Sequence, residues 1–338
     1  MYLDKPKRHI FGNFWNKIGL NMKKSILSLA TALVALASSN ASAFKLLSYG
    51  NFDHWITRQI SESHILGGNT KTVYEIGPTQ TIVGNKPYVN LGGSPWGTSN
   101  VYAKVHGIVK ASNAVYPDSH NGGQCAKLTT KLEHVKALGI INMDVLVGGT
   151  IFTGQMIEPV KSTSNPYANM NMGIRFTKRP KYLQFDYKLY APSGSRIYSS
   201  GFGKKKVLPG KDHAEVFLLL QYRWEDAKGN IHAKRVGTAR QRFSTSTSGW
   251  VNAHRIPVLY GDIRNHSGYQ SYMALIPKAN SYYARNSKGK MVPVVEEGWA
   301  SADQTPTHAI VMCSSACGTA YEGTVGMTLW VDNIGFVY

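Results

Sequence analysis

The sequence predicts an all-β protein of two packed antiparallel sheets, and three observations carry that expectation. Runs rich in Val, Ile, Leu, Phe, Tyr and Trp recur along the 338 residues. Gly-Gly, Asn-Gly, Lys-Gly-Asn and Pro-Ser-Gly turns separate those runs. No stretch keeps the apolar spacing and the caps of an α-helix.

Residues 1–43 read as targeting sequence rather than structure. Lys23 and Lys24 precede an apolar stretch at 26–37, and Ala41-Ser42-Ala43 supplies a small-x-small cleavage pattern. The stretch is too short to span a bilayer. The basic flank directly after Met22 makes residues 22–43 a cleavable signal peptide and residues 1–21 an upstream extension. No cysteine lies at the cleavage point, which disfavours a lipid anchor. Residues 44–338 show no linker, charge block or internal repeat and read as one exported domain, periplasmic, cell-surface or extracellular, with no transmembrane segment.

Within that domain strand-like runs fall at 55–63, 71–76, 124–135, 137–147, 173–177, 181–190, 213–224, 231–243, 251–259, 270–276, 309–313 and 327–338. The segment 124–147 is also compatible with a helical hairpin, because Leu, Lys and Ala favour helix. However, Cys125, Lys127, Thr129 and Lys131 alternate with Ala126, Leu128, Thr130 and Leu132, a period of two that favours strands. In the last run Met327, Leu329 and Val331 alternate with Thr328, Trp330 and Asp332, giving one core face and one polar or amphipathic face.

Several landmarks occur in a fixed order: NFDHW at 51–55, PWGTSN at 95–100, CAKLTT at 125–130, GGTIFTGQ at 148–155 and GIRFTKRPKYLQFDYKLY at 173–190. The chain then closes on Gly-x-x-Leu-x-Val-Asp-Asn at 326–333. Together these resemble the bacterial putative carbohydrate metabolism domain family, over most of the chain after the leader. The resemblance narrows the fold to a jelly-roll β-sandwich and implies a carbohydrate-associated protein. It implies no particular reaction, because the family is defined by fold and context.

The formal net charge is +19; the first 43 residues hold six Lys or Arg and one Asp, so the remainder carries +14. No recognition helix and no aromatic RNA-binding strand pattern accompanies that charge, so nucleic acid is not an expected partner. A basic exported protein meets acidic polysaccharide or an anionic cell surface.

Sugars present flat C–H faces to aromatic rings and hydroxyls to polar groups, so a binding face interleaves the two. Trp96, Tyr222, Trp224, Trp250, Tyr269, Tyr272, Tyr282, Tyr283 and Arg285 fit that description, whereas Trp55 and Trp330 are assigned to packing. By the resemblance to jelly-roll carbohydrate-binding modules, Asp53 and Asp332 are the positions at which a structural calcium ion would be held; the alternative is no cofactor. Cys313 and Cys317 bracket a three-residue loop that a disulfide could close, and Cys125 reads as a buried free thiol.

For catalysis the sequence offers candidates without a constellation. Glu158, Asp186, Glu215, Glu225 and Asp226 could supply the two carboxylates of a glycosidase. A polysaccharide lyase would need a cation and a Tyr or His. The strand motifs of jelly-roll alginate lyases are absent, and NIHA at 230–233 is only an echo. Three readings therefore stand: glycan binding, a glycan-cleaving hydrolase or lyase, and a structural or adhesion-type surface protein.

Overall fold

The computed structural model describes residues 43–137, 141–201, 203–317 and 320–338. The expected extension and leader, up to residue 42, lie outside the described residues. Among the described residues the long elements are all strands, and helix occurs only as short 3-10 turns such as Ser271–Met273. None is long and apolar enough to cross a membrane.

One sheet has six strands in the order Val251–Pro257, Tyr182–Tyr190, Thr328–Val337, Gly123–Thr129, Val115–His120, with Phe44–Leu46 also paired to Thr328–Val337. Its pairings are all antiparallel. Alternation sets its faces. Leu183, Phe185, Tyr187 and Leu189 turn inward from Tyr182–Tyr190, joined by Leu329, Val331 and Phe336 from the C-terminal strand.

The second sheet has ten strands and is built around the long hairpin Ala214–Glu225 and Ile231–Phe243. The strand Ala214–Glu225 is buried without a break from Ala214 to Gln221, because it packs on both sides. Val216, Leu218 and Leu220 meet the six-stranded sheet in the main core. Phe217 and Leu219 meet Phe152, Met172 and Ile310 in a second core. A continuous apolar run such as VFLLL is what two buried faces require.

That second core exists because the sheet closes on itself. Thr150–Met156 pairs with His308–Ser314, so seven strands form a ring: His308–Ser314, Ala214–Glu225, Ile231–Phe243, Met291–Trp299, Tyr283–Arg285, Met170–Met172 and Thr150–Met156. The expectation of two antiparallel sheets is corrected here. Ile231–Phe243 runs parallel to Met291–Trp299, and Met170–Met172 parallel to Tyr283–Arg285. A parallel pair needs a crossover. The chain supplies it by leaving the ring after Phe243, laying Val251–Pro257 onto the other sheet, and returning.

Two local expectations also change. Residues 270–276 are not a strand: Ser271–Met273 is a 3-10 turn, and the Ile276 amide donates to Glu296 Oε2 at 2.8 Å rather than to a neighbouring strand. No disulfide joins Cys313 and Cys317, since all three cysteines are free. Cys313 is enclosed in the main core, whereas the Cys317 carbonyl accepts from Arg242 Nη2, which holds that residue away. Within 124–147 the described residues are strand, as the period of two implied, except that the run breaks at buried Thr130 and gives way to the paired strands Lys131–Ala137 and Ile141–Val147.

Candidate functional site

The outer face of the six-stranded sheet carries a cross-strand row of alternating rings and cations. Register places Lys188 opposite Trp330 and Trp330 opposite Lys127. Tyr187 pairs with Val251, which brings Trp250 to the far side of Lys188. The Lys188 ammonium lies 4.3 Å from the Trp330 ring centroid and 5.6 Å from that of Trp250, and Lys127 sits 5.6 Å from Trp330 on its other side. Both indoles are half-buried. Trp330 Nε1 donates to Asp118 Oδ2 at 2.8 Å, and that bond holds the Asp118 carboxyl below its usual range.

Trp250 stacks on His120 with centroids 3.7 Å apart and planes 20° from parallel. His120 Nδ1 in turn hydrogen-bonds Asp332 Oδ2 at 2.6 Å. Burial raises the Asp332 carboxyl above its usual range, against the pull of His120. Both residues line a cavity of about 330 Å³ together with Asn51, Asp53, Asn121, Gly122, Gly123 and Asn333. The Asn121-Gly122 pair makes this geometry: both residues have positive φ, 46° and 79°, and turn the chain tightly between two paired strands. Gly123 leaves room for the Asp53 carboxylate: a Cβ there would lie 2.3 Å from Asp53 Oδ1 and displace it.

The cavity thus unites Asp53 and Asp332, the two expected calcium positions. Their oxygens are already engaged. Asp53 accepts from the Gln124 amide at 2.8 Å and from Asn51 Nδ2 at 2.6 Å, and Asp332 accepts from the Asn333 amide at 2.7 Å besides bonding His120. Calcium takes roughly six to eight oxygen ligands; the two carboxylates alone fall short of that shell, and no group of three or more His, Cys, Asp or Glu suited to a metal occurs among the described residues, although Asn51, Asn121 and Asn333 line the same cavity.

The aromatic candidates do not share one groove. Trp96 is fully buried, packs on Phe52, and donates Nε1 to the Ser48 carbonyl at 2.9 Å, so it belongs to the core. Tyr222 and Trp224 form a second patch, their rings 6.1 Å apart, with Trp224 stacked on His232 at 5.4 Å. Tyr282 packs on Phe217, 6.2 Å away, against the second core. Tyr272 lies under the Arg242 guanidinium at 4.7 Å. Tyr283 accepts from Asn165 Nδ2, Tyr269 is half-buried, and Arg285 is exposed.

The carboxylate candidates are all engaged. Glu158 is bound by Arg58 and by the Tyr88 and Tyr102 amides. Glu215 is bound by Arg240 and Arg242, Glu225 by Ser287, Asp226 by Asn230 and His232, and Asp186 by the Ala253 amide and Asn333. Sequence reasoning missed Trp330, Lys127, Lys188 and His120. The alternation of the last strand already grouped Trp330 with Asp332, and assigning that ring to packing overrode it.

No curated protein matches the chain. It is similar in structure to a putative glycoside hydrolase from Bacteroides thetaiotaomicron, with 16% identity, a TM-score of 0.42, and coverage of 80% of this chain and 81% of that one. A putative glycoside hydrolase from Bacteroides vulgatus shows 15% identity, a TM-score of 0.41, and coverage of 87% and 95% respectively. The sequence pattern of the putative carbohydrate metabolism domain matches residues 79–337, which contain the whole row from Asp118 to Trp330. With most of its length inside that match, the chain belongs to the putative carbohydrate metabolism domain family.

Proposed function

We propose that the outer face of the six-stranded sheet binds glycan, in a protein exported by its leader. The observation that carries this reading is the row in which Trp330 and Trp250 flank Lys188 beside a polar cavity. The half-buried indoles offer flat apolar faces at a fixed spacing across the sheet, and Asp118, Asn333 and Asp53 stand near as hydroxyl partners. Membership of a carbohydrate-related family supports the same reading.

The test is retention on a panel of neutral and acidic polysaccharides. Trp250→Ala and Trp330→Ala should each weaken binding about tenfold, the ratio that ~1.4 kcal/mol of lost stacking gives. The thermal midpoint should stay near that of the parent, because both rings are half-exposed. Unchanged retention in the double variant would sink the proposal.

A glycan-cleaving enzyme is the second reading, and His120 is the observation that favours it. Its Nδ1 is fixed by Asp332, its Nε2 makes no hydrogen bond among the described residues, and its ring lines the cavity. That is how a general base is oriented. New reducing ends or unsaturated uronate products, lost in His120→Gln, would establish it. Silence in retention and product alike would point to the structural role.

A further inference from the structure

A second cavity, of about 370 Å³, opens at one end of the sandwich between residues 45–48, residues 175–178, and the last residues of the C-terminal strand. Its floor is aromatic. Phe176 and Phe336 are in tilted contact, centroids 5.0 Å apart, and Tyr338 completes the wall. Its rim is cationic: Lys45, Arg175 and Lys178 are all exposed, and Lys178 Nζ stands 5.8 Å from the Tyr338 ring. None of the three forms an ion pair among the described residues, and the lining contains no Asp or Glu side chain. Ser48 and Thr177 add two hydroxyls.

No neighbouring Asp or Glu side chain pairs with this rim among the described residues. Arg175 pairs in register with His308. Burial, then Arg223, then Arg175 push the His308 imidazole down to about 3, so it stays neutral beside them. Arg223 itself bonds the neutral Gln221 Oε1 and Met172 carbonyl, and its Nη2 is buried without a partner. Elsewhere the buried arginines have been matched: Arg58 to Glu75 and Glu158, Arg235 to Glu296, Arg240 to Glu215. Around this cavity the cationic side chains have no acidic side chain bonded to them among the described residues.

We propose that this cavity is a subsite for an anionic sugar unit, its ring against the aromatic floor and its charge between Arg175, Lys178 and Lys45. A neutral sugar would leave three cations idle, and an inorganic anion would leave the apolar floor unused. A sugar bearing a carboxylate or a sulfate ester answers both. The inference rests on the glycan reading of the outer face but uses different residues, so the two can fail separately.

The experiment is affinity electrophoresis in gels containing polygalacturonate, dextran sulfate or a neutral cellulose derivative. Four proteins are compared: wild type, the triple variant Lys45→Ala/Arg175→Ala/Lys178→Ala, the control triple variant Lys204→Ala/Lys205→Ala/Lys206→Ala, and Trp250→Ala/Trp330→Ala. The cavity variant should lose at least about tenfold in affinity for an anionic polymer and nothing for the neutral one, while the control, with the same charge removed, keeps its affinity. The polymer retained more tightly by wild type identifies carboxylate or sulfate as the anion. Equal losses in the two triple variants would reduce the effect to net charge and overturn the proposal. So would undiminished binding by the cavity variant, or no retention of wild type by either anionic gel. Loss of neutral binding in the tryptophan variant alone reports on the outer face and leaves this site standing.

Discussion

Trp96 and Trp330 show what a residue does and does not disclose. Trp96 stands among Gly, Ser, Thr and Pro and Trp330 between Leu329 and Val331, yet the first is sealed in the core and the second lies between two lysines on an open face. Identity fixed the kind of contact and not the exposure. Charged residues are harder still to place. Arg58, Glu75 and Glu158 come from three distant points of the chain and meet in the interior, where Arg58 binds Glu75 at 2.8 Å and Glu158 at 2.6 Å. Burial, then Glu158, push the Glu75 carboxyl up to about 8. Nothing in the order of residues marks such a triad. Replacing Arg58 by Met should cost ~3–5 kcal/mol, because it leaves two carboxyls buried without their cation; a denaturant midpoint that hardly moves would contradict this. His232 makes a surface counterpart. Asp226 and then Glu297 raise its pKa, so its contribution to stability is complete below the unfolded value of roughly 6.5 and fades as pH rises through the elevated folded value. Proton NMR should find His232 titrating above its ordinary value, and Asp226→Asn should bring it back down.

Elements were legible in proportion to the regularity of their alternation. The runs at 181–190 and 231–243 became Tyr182–Tyr190 and Ile231–Phe243 with almost no change of boundary. The period of two in 124–147 outweighed helix propensity, and both segments are strands. Failure came where apolar residues served something other than a sheet face. Residues 270–276 form a turn and loop that packs Ile276 against the second core and is tied to buried Glu296. Trp96–Thr98 and Met291–Trp299 were overlooked, the first being three residues long and the second carrying Pro293 and two glutamates. The most informative element is Ala214–Glu225. Leu219→Ala removes a fully buried side chain facing the second core and should cost ~2–5 kcal/mol. Far-ultraviolet dichroism during urea unfolding would measure it, and a cost under ~1 kcal/mol would mean that the ring interior is loosely packed.

For the whole molecule, the sequence disclosed an all-β chain but not the closure of one of its sheets. Closure depends on a pairing between Thr150–Met156 and His308–Ser314, which are far apart in the chain and carry no local mark of their partnership. The candidate face was legible in part for the same reason. Asp53, Asp332 and Trp250 were named for separate purposes, and only the fold shows that they adjoin. Acid sensitivity belongs to this scale too. With its folded pKa depressed to about 3, His308 stays neutral in the native state while the unfolded chain protonates below roughly 6.5. Its contribution is therefore present above that value and lost as pH falls toward 3. The urea midpoint should drop between pH 7 and pH 4, and His308→Asn should flatten that slope.

The closed ring has one more consequence, for behaviour at high concentration. A stretch whose two ladders are both taken gives an incoming chain nothing to bond, so the doubly paired parts of the ring cannot seed edge-to-edge growth. The six-stranded sheet does have free margins, Val115–His120, Val251–Pro257 and the outer side of Phe44–Leu46. Pro117 interrupts the first and Pro257 ends the second, each deleting an amide that a fibril would need. Strand addition is thereby discouraged at those two margins, and the proline substitutions Pro117→Val and Pro257→Val should make dense solutions more prone to thioflavin-positive fibres than the parent.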